Sequence, residues 1–286
     1  MKKLMALFVL GLLFSGLVPV ASAATLGEQD DGWIDEYNRH KAHYVQMKEF
    51  YKDARQDWIT NRNKVREYKA EGGEAFKTAQ LTAKEAGQDY LIAAVDLIDS
   101  KLVTVMFWGQ NEIGNEQDVK QITDEIEEQL EALRELKADI EAVDLESENA
   151  ADELEDLAKK VETRWDAVKP IYKRWLGQNL AWRLQHVLNR FDSLGDHLQG
   201  KLDTVSVDDP LYPEMEQDLE EYKENVALAW EKYEAAVSSF KAIRSESDMD
   251  RLYLNGNDFL KNANSYLGDA YLNSRELIQS YKQSQE

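Results

Sequence analysis

The 286 residues include no cysteine, so a disulfide, a lipid-modified cysteine and a thiolate metal ligand are all excluded for them. Glycine (14 residues) and proline (4 residues) are scarce, and few points along the chain therefore interrupt a helix. Charged residues alternate with apolar ones throughout the chain, as in long amphipathic helices. These features favour an all-α protein that is held together by packing alone.

Basic residues are also few, with 34 lysines and arginines against 55 aspartates and glutamates. The formal net charge of −21 repels nucleic acid and anionic lipid and attracts cations and basic proteins. The composition therefore predicts no nucleic-acid partner. A basic protein, or a second copy of the chain, is the expected partner.

Residues 1–23 have the order of a secretory signal peptide. Two lysines precede an apolar run over residues 4–17, and Ala21-Ser22-Ala23 supplies a small-residue cleavage site. We expect the mature chain to begin near Ala24, without a transmembrane segment, and to be extracellular, on the cell surface or periplasmic. An uncleaved membrane anchor is the alternative interpretation.

An aromatic heptad ladder opens the helical part of the chain. Its positions alternate steps of three and four residues, which places them on one stripe of a supercoiling helix. The stripe comprises Tyr37, His40, Tyr44, Met47, Tyr51, Ala54, Trp58, Asn61, Val65 and Tyr68. The spacing predicts that the rings belong to a core and do not form a ligand-gripping surface, and Gly72-Gly73 is predicted to end the helix.

The same rhythm recurs over residues 76–97, 119–143 and 215–243. We therefore predict an all-α, elongated antiparallel bundle of about six long helices with coiled-coil-like heptad packing. A repeat at a shift of 182 residues relates two predicted hairpins, residues 33–108 and 211–284. Asn255-Gly256 is predicted to form the turn of the second hairpin, as Gly72-Gly73 does in the first.

The middle of the chain allows two interpretations. Residues 116–169 contain neither glycine nor proline, which indicates one helix of more than 50 residues that Pro170 would break or kink. The alternative is a turn at residues 146–149, where Ser147 and Asn149 would cap a new helix.

The predicted division of the chain follows its loops. After the signal peptide, it has a first hairpin at 24–115, a central acidic helix and basic aromatic helix at 116–210, and a third hairpin at 211–286. Residues 90–108 are apolar, but charges near their centre favour a buried bundle helix over a membrane span.

Candidate chemistry is sparse. His40 and His43 have a metal-compatible spacing but no third or fourth ligand, and a bundle histidine is the favoured interpretation. Asp192-Ser193 and His197 resemble fragments of a lipolytic hydrolase signature, but they lie on a helical run without a preceding strand. We predict no catalytic, cofactor-binding or metal-binding residue, and we predict that the protein is not an enzyme.

Charge is segregated along the central part of the chain. Residues 116–156 carry 17 acids and three bases, whereas residues 159–191 carry eight bases and two acids, together with Trp165, Tyr172, Trp175 and Trp182. The basic stretch fits either an anionic membrane surface or an internal counterpart of the acidic helix. The acidic face is either a solvated surface or a partner-binding one.

These patterns predict an exported structural or interaction protein, a spacer or scaffold that holds a basic partner or itself. The alternative is a helical-bundle carrier of an apolar or aromatic small molecule, suggested by tryptophan and tyrosine at seam positions. Seams filled by side chains favour the scaffold, and a large cavity between them would favour the carrier.

Overall fold

The computed structural model describes residues 32–111 and 116–285, and this part of the chain is all-α, with no strands. The predicted all-α helical bundle is confirmed. The signal-peptide prediction falls outside the described residues. The helices are α1 (Gly32–Tyr68), α2 (Gly73–Asn111), α3 (Glu116–Glu141), α4 (Ala150–Leu202), α5 (Tyr212–Lys241) and α6 (Glu246–Ser284).

The described residues divide into two compact units, and the division falls inside α4. Unit 1 contains residues 32–111 and 120–169, and unit 2 contains residues 116–119 and 170–285. Unit 1 thus packs α1 and α2 with most of α3 and the first part of α4. Unit 2 packs the rest of α4 with α5 and α6. The three-part division predicted from the sequence stays a prediction.

The aromatic ladder of α1 is core, as its heptad spacing predicts. Tyr44, Tyr51 and Trp58 are buried and Tyr37 is half-buried, whereas Tyr68 at the end of the stripe is exposed. The rings of Trp58 and Tyr90 stack at 5.5 Å, and the Tyr51 and Tyr90 hydroxyls share a hydrogen bond of 3.0 Å. These contacts pair α1 with α2 in antiparallel order.

The turn between α1 and α2 lies at the predicted glycines. Gly72 and Gly73 have φ angles of 66° and 67°, a left-handed conformation that other residues adopt only with strain. The Tyr68 carbonyl accepts hydrogen bonds from the amides of Glu71 and Gly72, which closes the end of α1. Gly72-Gly73 therefore ends α1 and lets α2 fold back.

The second half of α2 is the central helix of unit 1. No residue from 90 to 109 is exposed, and Ala94, Leu97 and Ile98 are completely buried. This confirms the predicted buried bundle helix. Among the helices of the described ranges, none combines the length and the apolar character needed to cross a bilayer.

The one-helix interpretation of residues 116–169 is wrong, because α3 ends at Glu141 and α4 begins at Ala150. Short polar side chains stabilise the turn. Asp144 accepts from the Glu146 amide at 3.1 Å, and Ser147 accepts from the Asn149 amide at 3.2 Å. Such local bonds compete with helix formation, which is why a break forms without glycine or proline.

A lysine from another helix secures the same turn. The Lys84 ammonium group on α2 donates to the carbonyl oxygens of Leu145 and Ser147 at 3.0 and 2.9 Å. It thereby gives the turn's carbonyl groups a donor from α2, in addition to the Ala150 amide, which donates to the Ser147 carbonyl oxygen at 3.3 Å. The alternative interpretation, a turn at 146–149, is confirmed.

Pro170 does not break the helix, since α4 continues through it to Leu202, and the expected kink stays a prediction. A proline inside a helix costs about 3 kcal/mol through a lost hydrogen bond and a ring clash. No residue from 168 to 184 is exposed, so burial on all sides of this segment outweighs that cost. Tertiary packing, and not local propensity, keeps α4 continuous here.

The predicted turn at Asn255-Gly256 is wrong, because both residues lie inside α6. The connection between α5 and α6 comes earlier, at residues 242–245. The buried Arg174 on α4 donates to the Ile243 carbonyl oxygen of this connection at 3.2 Å. Gly256 serves packing instead of a turn.

The fully buried ring of Phe240 explains the need for glycine at that position. A Cβ atom built on Gly256 of α6 would overlap the Phe240 ring, and so would a Cβ atom built on Gly177 of α4. Phe240 therefore lies against two backbones that carry no side chain. This contact sets the approach of α4, α5 and α6 in unit 2.

Gly256→Ala should lower the free energy of unfolding by about 1 to 3 kcal/mol, because the added methyl group overpacks the Phe240 site. Gly268→Ala is the matched control on the same helix, since nothing lies within 4 Å of its Cβ position. The free energy of unfolding of the control should rise by up to about 1 kcal/mol, because alanine has a higher helix propensity than glycine. Chemical denaturation checks both variants, and equal midpoints for the two would contradict the packing described.

Candidate functional site

The histidines suggested by spacing do not come together at a shared centre. His40 packs its ring against Phe107 at 5.0 Å, whereas His43 is exposed. Within the described ranges, no group of three or more histidine, cysteine, aspartate or glutamate side chains has the geometry to hold a metal ion. The prediction of no metal site stays a prediction.

The hydrolase-like residues are engaged elsewhere. The Ser193 hydroxyl donates to the Asn189 carbonyl oxygen at 3.0 Å on its own helix. The Asp192 carboxylate accepts from Trp230 Nε1 at 3.1 Å, which ties α4 to α5. His197 is exposed. These contacts stabilise the bundle, and the prediction that the chain is not an enzyme stays a prediction.

The tryptophans of the basic stretch are buried. Trp165, Trp175 and Trp182 expose at most 4% of their surface, and the last two meet edge to face at 5.5 Å. Lys169 and Arg174 of the same stretch are buried as well. A membrane surface needs such rings on the outside of the protein. Their burial argues against the membrane-surface interpretation of residues 159–191. Residues 170–191 belong to unit 2, where Lys173 pairs with Asp250 of α6, so pairing of this part with the acidic helix stays a prediction.

Acidic side chains line the outer side of α3. Its apolar residues, including Ile126, Leu133 and Ile140, are buried and leave the opposite side to water. We call the exposed carboxylates on that side the acidic stripe. It comprises Asp124, Glu127, Glu128, Glu131, Glu135 and Asp139.

One base of α3, Lys137, is bonded to α2, whereas Lys120 and Arg134 of the same helix are exposed. Lys137 donates to both carboxylate oxygens of Asp96 at 2.7 and 2.9 Å. Burial raises the pKa of Asp99, and the positive charge of Arg134 opposes that rise. Lys160 reaches Asp139 at 3.8 Å, so one end of the stripe has a cation beside it.

A cavity of about 200 Å³ lies in unit 1, between α1, α2 and the start of α4. Its walls include Trp58, Tyr90 and Leu154, and they are mainly apolar. Gly87 opens the space, because a Cβ atom there would stand 3.5 Å from Trp58 Cδ1 and 3.9 Å from the Leu154 side chain. These are ordinary contact distances, so helix packing leaves room beside the indole ring.

Arg62 is the most unusual residue of this cavity. Its guanidinium group lies over the Trp58 ring at 4.7 Å, and its Nε atom is buried without a hydrogen-bond partner in the described part of the chain. Burial lowers the pKa of Arg62, and the like charge of Arg66 lowers it further. A buried donor without an acceptor costs about 1 to 3 kcal/mol.

The other charged residues of the cavity wall are already paired. Lys84 donates to the backbone of the α3–α4 turn, as described above. The Glu155 carboxylate forms an ion pair with the Lys159 ammonium group at 3.5 Å. Arg62 therefore differs from both in having an unsatisfied donor.

A second unsatisfied group lies in unit 2. Asp218 on α5 is 8% exposed, and its Oδ2 atom is buried without a hydrogen-bond partner among the described residues. Burial, together with the negative charges of Glu276, Glu214 and Glu221, raises the pKa of Asp218 to about 6. The carboxylate form of Asp218 is therefore disfavoured in the folded chain.

This pKa makes the stability of the protein depend on pH. An unfolded aspartate titrates near pH 3.9, so between about pH 4 and pH 6 the folded state binds more protons and loses stability as the pH rises. Asp218→Asn should raise the free energy of unfolding at about pH 7.5 by about 1 to 3 kcal/mol. The gain should shrink towards about pH 4.5.

Urea denaturation across this pH range checks the prediction. Asp269→Asn on α6 is the control, because Asp269 is exposed and its substitution should change the free energy of unfolding by less than about 0.5 kcal/mol. A gain from Asp218→Asn that does not change with pH would show that the buried charge is not its cause.

No protein-family model, curated protein or solved structure matches the chain. The class of protein rests on the fold, which is an all-α helical bundle.

Sequence reasoning located the acidic stripe but missed the cavity. Trp58 was assigned to the core, and it is core, yet one edge of its ring borders open space. Gly87, as the one glycine between Gly73 and Gly109, was the available signal.

Proposed function

We propose that the chain is an exported, non-enzymatic interaction protein, a helical spacer or scaffold of the cell envelope or the extracellular space that holds a basic protein partner. The observation that carries the proposal is the acidic stripe of α3. Its six carboxylates are exposed and outnumber the two exposed bases of the helix, Lys120 and Arg134, while Lys137 pairs with Asp96 of α2. The proposal that the protein is exported rests on the sequence of residues 1–23 alone.

A basic partner suits this stripe for electrostatic reasons. The negative field of the whole chain attracts positive surfaces, and its range is a Debye length of about 8 Å at physiological salt. Attraction of this kind raises the rate of association more than it slows dissociation. The bundle contributes a stiff support that keeps the carboxylates in one row.

The carrier alternative has less support. Tryptophan and tyrosine at seam positions suggested this alternative. The side chains of Tyr44, Tyr51 and Trp58 are buried and themselves fill the core at those positions. The cavity beside Trp58, at about 200 Å³, is below the roughly 300 to 1,000 Å³ of drug-sized ligand pockets. The geometry therefore favours the scaffold as the main function.

The experiment compares what the wild-type chain and a stripe variant retain from an envelope extract of the source cells, identified by mass spectrometry. The stripe variant carries Glu127→Gln, Glu128→Gln, Glu131→Gln and Glu135→Gln. We expect a protein with a basic surface that the wild type retains and the stripe variant loses. Its association rate should fall at least about tenfold between about 50 and 200 mM salt.

A control of equal charge change separates the stripe from the overall field of the protein. It replaces four exposed glutamates of α5, namely Glu216, Glu220, Glu224 and Glu234, with glutamine. The control should retain the partner. Equal retention by the stripe variant, or equal loss from both variants, would contradict a role for α3.

A further inference from the structure

The cavity beside Trp58 combines two features that together indicate a ligand. Its walls present aromatic and aliphatic surface, and its cation, Arg62, has an unsatisfied donor. Arginine donors prefer carboxylate oxygens, with which they form charge-assisted hydrogen bonds. In a chain with 55 acidic residues, no carboxylate of the described part occupies this position beside Arg62.

The size of the cavity limits what it can hold. A dry cavity of about 150 Å³ is enough to bind benzene. The space beside Trp58 is about 200 Å³, which leaves room for one aromatic ring and a short polar arm. Gly87 is essential to this volume, because any side chain at that position would extend towards Trp58 and Leu154.

We propose that this cavity is a binding site for a small aromatic carboxylate, with the ring between Trp58, Tyr90 and Leu154 and the carboxylate on Arg62. The ligand would supply the acceptor that Arg62 Nε lacks. The Trp58 Nε1 donor lies on the ring edge that faces Gly87, 3.6 Å from its Cβ position, and offers a second polar contact.

The cavity wall carries two cations, Arg62 and Lys84, and one carboxylate, Glu155, so its net charge favours an anionic ligand. A cation would be repelled by Arg62 and by Arg66 on the next turn of α1. A neutral aromatic hydrocarbon would fill the volume but leave the buried Nε atom unpaired, and a neutral amide could accept from Nε only without the charge assistance of a carboxylate. The inference does not depend on the acidic stripe, because neither Arg62 nor Gly87 belongs to α3.

The test uses phenylacetate and its neutral analogue phenylacetamide as probes of the recombinant protein, with isothermal titration and ligand-observed NMR. We expect the wild type to bind the carboxylate at least about tenfold more tightly than the amide. Arg62→Met keeps the length and apolar character of the side chain, and it should reduce this preference to about one. Gly87→Leu should fill the cavity and weaken both probes at least about tenfold.

Arg66→Gln is the matched control, because it removes a positive charge from α1 at an exposed residue outside the cavity wall. It should keep the preference for the carboxylate. The proposal is overturned if the wild type binds both probes equally, if Arg62→Met keeps the preference, or if neither probe binds at about 10 mM. Arg62→Met decides the matter even if Gly87→Leu does not fold.

Discussion

Contact between a large aromatic ring and a glycine of a neighbouring helix is the constraint on which this bundle depends. In unit 2, Phe240 lies against Gly177 and Gly256, and Tyr222 comes within 3.1 Å of the Cβ position of Gly195. These rings are buried because the facing backbone has no side chain. The helices therefore approach closely without disulfides, which the chain cannot form.

Unit 1 has the same kind of contact between an aromatic ring and a glycine, but the two are packed less closely there. Trp58 faces Gly87 at ordinary contact distances, and the remaining space is the cavity with Arg62 on its wall. One packing rule thus produces a filled core in unit 2 and a small cavity in unit 1. The acidic stripe of α3 is separate from this rule, since it follows from the outer side of a helix whose apolar residues face inwards.

Heptad spacing was enough to predict the helices, the buried ladder and the buried second half of α2. It failed where an isolated residue decided the outcome. Gly72-Gly73 forms a turn, whereas Gly256 lies against the Phe240 ring. The sequence around each glycine does not distinguish these two roles. The turn after α3 depends on Lys84, which is distant in sequence. Pro170 remains helical because of burial, and the cavity depends on the missing side chain of Gly87.

The central claim is that the ring–glycine contact of unit 1 leaves open space. The free energy of unfolding of Gly87→Ala tests it most directly. The added methyl group would stand 3.5 Å from Trp58, so we expect no clash and a gain of about 0.5 to 1 kcal/mol from helix propensity. A loss of about 1 kcal/mol or more would contradict the account, because it would show that Gly87 is packed as tightly as the glycines beside Phe240.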